Sequence, residues 1–415
     1  MKKKVFVIVL IIFIIGVISF VSYYKYQEKE TIKKEEKLIS EIRSHYNQFV
    51  KTTKETDLYD LVDNEYKKIG SISKDVNLYL DFLDIDKNTK YFLIKDLGFY
   101  ISYNDVEQTK EFSFSDRYKN YIPFNINIKT SDMTTFYDED KNILYTINKS
   151  YDFPVLINDS EYYGVVFNDR LVYIKHDNVS EEYENHNTDL KNKSSIRTLL
   201  YHFIYDPNTY KCDQIICQSL SQFESHLKYL SENNYFTLKL NELEMYLDGS
   251  LKIPEKSAVL TIDDGTIFDP YALDLLDVYK VNATIFVITS WVDPNNLKSN
   301  YMDVESHTDN MHNQYECKGY GSQGGGILCL PEEQVLSDLK TSQDKMGGSK
   351  YFAYPFFDFN ERAITLLKKA GFTMAFIGQY STDGRAYPNK TDKFKVPRKT
   401  IFSSTTLAEF ISYLN

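Results

Sequence analysis

The chain has 415 residues, 42% hydrophobic and 26% charged, with a formal net charge of −11. That length exceeds one ordinary domain, and that apolar content excludes wholesale disorder. The acidic balance, with no basic cluster beyond the N-terminus, excludes a nucleic-acid partner and any purely electrostatic capture of anionic polymers.

Lys2, Lys3 and Lys4 precede an uncharged apolar run over residues 5–24. About 20 such residues span ~30 Å of hydrocarbon as a helix. The lysines favour the cytoplasmic side, so residues 1–26 read as a single-pass anchor in the cytoplasmic membrane, with the rest of the chain extracytoplasmic. No small-residue exit marks a cleaved signal peptide. Residues 27–64 are polar and charged, with Leu38, Ile42, Tyr46 and Phe49 at helical spacing, and read as a helical stalk.

Residues 65–183 change to short alternating runs between turn residues, the pattern of an all-β region. It contains a weak repeat: "KDLGFYISYNDV" at 95–106 matches "NDRLVYIKHDNV" at 168–179, so Tyr100 falls on Tyr173 and Val106 on Val179. Two copies of one small β unit account for this. The second copy resembles bacterial SH3-like wall-binding domains, which implies a module that binds or spaces near the envelope. Residues 184–196 are polar and read as a linker.

From residue 197 to 415 strand-like and helix-like runs alternate, predicting an α/β domain with a parallel sheet. In such folds functional groups collect at the carboxyl ends of the strands. Four cysteines follow the anchor. Outside the cytoplasm disulfides persist, and proximity favours Cys212 with Cys217 and Cys317 with Cys329. Nothing in the sequence specifies an oligomeric state.

"AVLTIDDG" drives an apolar strand into two adjacent carboxylates, Asp263 and Asp264. Some forty residues on, "SHTDNMH" places His307 and His312 in one polar loop, in a chain with only seven histidines. Two imidazoles and a carboxylate leave coordination positions for water and substrate, as in many zinc enzymes.

These residues carry a resemblance. "TIDDG" resembles the T-F-D-D-G motif of the polysaccharide deacetylases, the NodB-type family 4 carbohydrate esterases, and "SHTDNMH" and "YFAYPF" resemble their second and third motifs. "LLYHFIYDP" and "FKVPRKTIF" are similar to segments of the branch that deacetylates poly-N-acetylglucosamine. The resemblance covers roughly 195–415. It implies a distorted (β/α) barrel and a divalent metal, zinc foremost with cobalt or manganese as alternatives, held by Asp264, His307 and His312. It implies Asp263 as general base and the Phe356 N–H, after Pro355, as an oxyanion donor.

This chain departs from the family in two places. No histidine follows His312, so His202, which matches the entry histidine of that branch, is taken as general acid. Ala353 stands where the family has an arginine, and Arg398 is the candidate to replace its charge. Asp383 could accept the second N–H of a site histidine, and Tyr354, Phe357 and Trp291 could offer sugar-stacking faces, although Trp291 reads more readily as core. The implied function is N-deacetylation of N-acetylglucosamine units in an envelope glycan, peptidoglycan or poly-N-acetylglucosamine. The alternatives are a catalytically degenerate glycan-binding protein and an O-deacetylase on the same site.

Overall fold

The computed structural model describes residues 2–81, 91–95, 97–185, 190–317, 321–378 and 383–414. The chain divides into two units. One holds residues 1–118, 126–155 and 161–184, and the other 119–125, 156–160 and 185–415.

The first unit opens with a single helix, α1 (Lys2–His45). The apolar run expected to be an anchor lies in it, and the side chains of residues 2–15 fall outside the described residues. Among the described residues no helix is long and apolar enough to cross a membrane. The expected stalk is shorter than its 27–64 boundaries. Helix α1 ends at His45, and Phe49, the last of the helically spaced residues, opens a strand. The reason is alternation: Val50 and Thr52 are buried while their neighbours are half-exposed, which is a period of two.

The repeat seen in sequence is one part of a duplication that spans the unit. Each repeated stretch folds as strand, 3-10 turn, strand: Phe99–Ser102, Tyr103–Asp105, Val106–Gln108 in one copy, and Arg170–Lys175, His176–Asn178, Val179–Glu184 in the other. Two three-stranded sheets match strand for strand. One runs Asn77–Tyr79, Phe49–Thr52, Val106–Gln108; its twin runs Asp152–Pro154, Ile126–Thr130, Val179–Glu184. The copies join where Ile143–Ile147 pairs antiparallel with Glu65–Ile72. Side-chain partners repeat too, Tyr59 opposite Tyr100 in one copy and Tyr137 opposite Tyr173 in the other.

The second unit is mixed α/β around a curled, largely parallel sheet. Its main strands are Ile196–Tyr201, Ser257–Asp264, Ala283–Val287, Met302–Ser306, Tyr351–Ala353 and Met374–Phe376, and their order in space is their order in the chain. Lys399–Thr400 pairs parallel with the first strand, and Val396 bridges Phe376 on the last. Residues 396–400 therefore link the two ends of the sheet. Every residue of Ser257–Asp264 is buried, as a strand covered on both faces requires.

The helices are α2 (Leu220–Glu232), α3 (Leu240–Leu247), α4 (Tyr271–Tyr279), the single turn α5 (Gly326–Cys329), α6 (Glu332–Met346), α7 (Glu361–Lys369) and α8 (Leu407–Leu414). Ser219 starts α2 through a capping box with Gln222. Leu227, Leu230, Leu275, Leu276 and Phe410 cover Leu199, Leu260 and Ile285 on one side of the sheet. Val335, Leu339, Ile364 and Leu367 cover Phe352 and Ala375 on another. Both expected disulfides are present, Cys212–Cys217 and Cys317–Cys329.

His226 on α2 is a packing residue. It stacks on Phe410 with ring centroids 4.0 Å apart, and its Nδ1 lies 3.1 Å from the Tyr201 hydroxyl. Burial lowers its pKa from 6.5 to about 4. The fold therefore holds it neutral, and the stability this confers is full above 6.5 and declines as pH falls toward about 4. His226→Gln should flatten that acid-side decline by about 3 kcal/mol, measured as the pH dependence of the urea midpoint of parent and variant. Parallel profiles would refute the assignment.

Candidate metal centre

Asp263 and Asp264 end the second sheet strand, and a change of backbone sends their carboxylates to different partners. Asp264 is at φ +72° and Gly265 at +77°. The left-handed conformation costs a non-glycine residue about 1–3 kcal/mol, and such strain gathers at functional sites. A Cβ on Gly265 would stand 3.1 Å from Val287 Cγ1, so the turn also demands a bare backbone.

Asp264 Oδ1 lies 3.4 Å from His307 Nε2 and 3.3 Å from His312 Nε2. His307 directly follows the strand Met302–Ser306, and its Nδ1–H donates to the Ala353 carbonyl at 2.8 Å. That bond leaves Nε2 as the lone-pair atom facing Asp264, the usual support for a ligating histidine. One donor atom from each of the three residues lies within 4.8 Å of the other two. An N,N,O set of this kind suits zinc and leaves positions open, so the residues fit the metal that the sequence implies.

Charge distribution agrees. Burial would raise the Asp264 carboxyl, but its bond to His307 and the neighbouring imidazoles hold it at about 2. Burial, with His307 beside it, lowers His312 to about 4, so this ring is neutral and available as a ligand. Burial also opposes charge on His307, yet Asp263 and Asp264 outweigh it and raise its pKa. A bound cation would displace that proton.

Asp263 has a different partner. Its two oxygens accept from Arg398 Nη1 and Nη2, each at 2.7 Å. Arg398 is 0% exposed. Its Nε–H donates to the Ile377 carbonyl, and the rings of Phe286, Phe357 and Phe376 surround the guanidinium. Burial would raise the Asp263 carboxyl; the Arg398 charge outweighs it and brings the carboxyl below its usual value. The arginine missing at Ala353 is thus supplied from the segment that links the two ends of the sheet.

His202 follows the first strand. Its Nδ1 is buried without a protein partner among the described residues, and its ring stands 6.3 Å from that of Phe357. Burial lowers its pKa against the pull of Asp263 and Asp264. Pro355 is buried and opens a turn in which Phe356 and Phe357 take φ +55° and +61°. The Phe356 ring lies 4.4 Å from that of His312.

Two sequence expectations fail and one changes. Tyr354 lies in the core among Phe352 and Phe359, its hydroxyl bonded to the Phe394 carbonyl, so it offers no face to substrate. Asp383 is exposed and accepts from the Arg385 backbone N–H, with no histidine partner among the described residues; the Ala353 carbonyl accepts the second N–H of His307 instead. Trp291, read as core, is 49% exposed with its ring 5.5 Å from His312. It follows a turn, Ile288–Trp291, that carries the chain out of the sheet.

Residues 251–375 match the family model for polysaccharide deacetylase. The chain carries a polysaccharide deacetylase domain. The chain is 27% identical over 221 residues to poly-beta-1,6-N-acetyl-D-glucosamine N-deacetylase of Staphylococcus aureus (strain MRSA252), covering 48% of this chain and 72% of that protein. Among solved structures it is similar to a de-N-acetylase from Aggregatibacter actinomycetemcomitans, with a TM-score of 0.44 at 20% identity over 53% of this chain and 99% of that one. It is also similar to IcaB from Ammonifex degensii, with a TM-score of 0.43 at 20% identity over 54% and 97%.

Removing Arg398 from the deacetylase domain would leave a buried, unpaired carboxylate. Arg398→Gln should destabilise by about 3–5 kcal/mol in denaturant unfolding, and Arg398→Lys, which lacks the fork, should recover only part of it. A loss under about 1 kcal/mol would mean that the pair behaves like an exposed one.

Proposed function

We propose that this chain is a metal-dependent N-deacetylase that hydrolyses the acetamide of N-acetylglucosamine units in a cell-envelope glycan, poly-N-acetylglucosamine foremost. The carrying observation is the division of labour at the strand end: Asp264 faces two imidazoles while Asp263, its neighbour, is held charged by Arg398. The choice of polymer is supported by the name of the Staphylococcus relative, and peptidoglycan is the second substrate to test.

Asp264, His307 and His312 would hold the ion, most simply zinc. When bound, it supplies Lewis acidity, polarising a carbonyl and making water more acidic. Asp263 accepts the proton of the attacking water; its fixed negative charge and locked orientation suit a base. The Phe356 N–H, which bonds to no acceptor among the described residues, donates to the acetamide oxygen as charge develops there. His202, whose pKa burial lowers and whose Nδ1 has no partner among the described residues, then takes up the proton released from the attacking water and passes it to the departing amine. Phe356, 37% exposed, and Trp291 flank His312 and give a sugar ring apolar faces.

The degenerate-enzyme alternative draws on the missing arginine and the absent late histidine; the bonds of Arg398 to Asp263 weigh against the first, and the role given to His202 answers the second. The apolar run at 5–24 supports a membrane tether, and the two disulfides support an extracytoplasmic domain. The SH3-like reading of the duplicated β unit belongs to the same proposal, as a module that keeps the glycan near the enzyme.

The full chain, loaded with Zn²⁺, should release acetate from N-acetylglucosamine oligomers, lose this with chelator and regain it on re-addition. Asp263→Asn should abolish release with metal still bound. His202→Ala should lower kcat by about 10²–10⁴-fold with little change in KM. Acetate from O-acetylated but not N-acetylated substrates would favour the O-deacetylase; no release with metal bound would refute both.

A further inference from the structure

The four residues between the two site histidines are unusually constrained. Thr308 is at φ +83°, a region that a β-branched residue rarely enters. Yet every N–H in this stretch is engaged. Thr308 donates to Ser306 Oγ at 3.2 Å and Met311 to Thr308 Oγ1 at 3.2 Å. Asp309 and Asn310 donate to the two oxygens of one carboxylate, Asp338 Oδ1 and Oδ2, each at 2.7 Å.

Asp338 belongs to α6, which is fixed independently of the loop. Val335 and Leu339, on either side of it, are buried in the core, and Ser342 Oγ lies 2.8 Å from Ser306 Oγ at the end of the strand that precedes His307. The Asp309 side chain adds a second tie to the same helix, pairing with Lys345 at 2.5 Å while accepting from Thr289 Oγ1 at 2.6 Å. Charge-assisted bonds of this length are the strong class. Both Asp338 oxygens are directed at the backbone, and the three-residue donor cluster does not include it.

We propose that Asp338 is a positioning residue of the metal centre: its carboxylate clamps the backbone of residues 309–310 and so sets His312 against Asp264. The need is geometric. His307 is located by the end of a strand and by the Ala353 carbonyl, whereas His312 stands at the far end of a strained loop. Without the clamp, the loop relaxes toward ordinary backbone angles and His312 must be ordered by the metal itself. The inference rests on reading Asp264, His307 and His312 as metal ligands.

The test is Zn²⁺ affinity of the full chain, measured by competition with a chromophoric chelator, alongside the thermal midpoint of the metal-free protein. Asp338→Asn replaces one acceptor by a donor facing an N–H. It should weaken Zn²⁺ binding by about 10–100-fold, the usual cost of losing support behind a ligand. Asp338→Glu, which keeps both acceptors, should retain more affinity than Asp338→Asn. Asp344→Asn, at the exposed end of the same helix, should bind as the parent does. A folded Asp338→Asn chain that binds Zn²⁺ within about twofold of the parent overturns the inference and leaves the metal reading intact. Should Asp338→Asn not fold, Asp338→Ser is measured against the same criterion. A parent chain that does not bind Zn²⁺ overturns the metal reading and this inference together.

Discussion

The buried fork between Arg398 and Asp263 is the interaction on which the deacetylase domain depends. Two charges taken out of water cost several kcal/mol each, and only good geometry with every hydrogen bond met repays that cost. Here both carboxylate oxygens are met at 2.7 Å, Nε–H reaches a backbone carbonyl, and aromatic rings fill the space around the guanidinium. Such a pair is no simple gain in stability. Its consequence is placement, since the carboxylate keeps its charge and has one orientation. Arg398 lies 135 residues from its partner, in the segment that bridges the first and last strands of the sheet. Bringing the ends of the sheet together and fixing the Asp263 carboxylate are therefore one structural event.

Around this fixed charge the backbone is strained at several places at once. Asp264, Thr308, Phe356 and Phe357 all have φ between +55° and +83°, and none is glycine. Each costs about 1–3 kcal/mol and persists only where the surroundings over-determine it. The surroundings here are the fully buried strand Ser257–Asp264, helix α6 and the core beneath Pro355. Strain at the mouth is thus supported by regular structure below it, so the candidate metal-binding side chains are aimed by rigid elements rather than by the loops that bear them.

What the sequence reveals follows from how local each feature is. The strand leading into Asp263 and Asp264 is an unbroken apolar run, and the His307–His312 pair shares one loop, so both are visible in short windows. Arg398 is visible only as a basic residue near a proline, because its partner is reached through the closed sheet. Tyr354 misleads because Tyr351–Ala353 is short and buried throughout; without alternation, nothing tells which side chains face the site. The helical spacing holds for Leu38 and Ile42, which lie in α1, and fails at Phe49, where strand pairing takes over. The duplication is legible over twelve residues only, since pairing preserves partners such as Tyr59 and Tyr137 while the sequence between them drifts.

The disulfide-closed stretch beside the centre brings its two halves into one frame. The hairpin of Gln314–Cys317 with Gly321–Gly325 leads into α5, and Cys317 is bonded to Cys329 at its end. On one side the Gly326 N–H reaches the Met311 carbonyl, next to His312. On the other the Gly325 N–H donates to Asp358 at 2.8 Å, at the end of the turn that holds Phe356. Arg362 of α7 donates to the carbonyls of Ile327 and Leu330 and pins the far end. Gly326 admits no side chain, because a Cβ there would meet Met311 Cβ at 2.9 Å and its carbonyl at 3.0 Å. The stretch ties the histidine loop to the Phe356 turn. A shift in either is opposed by the other, so covalent and packed structure holds the His312 loop and the Phe356 turn together.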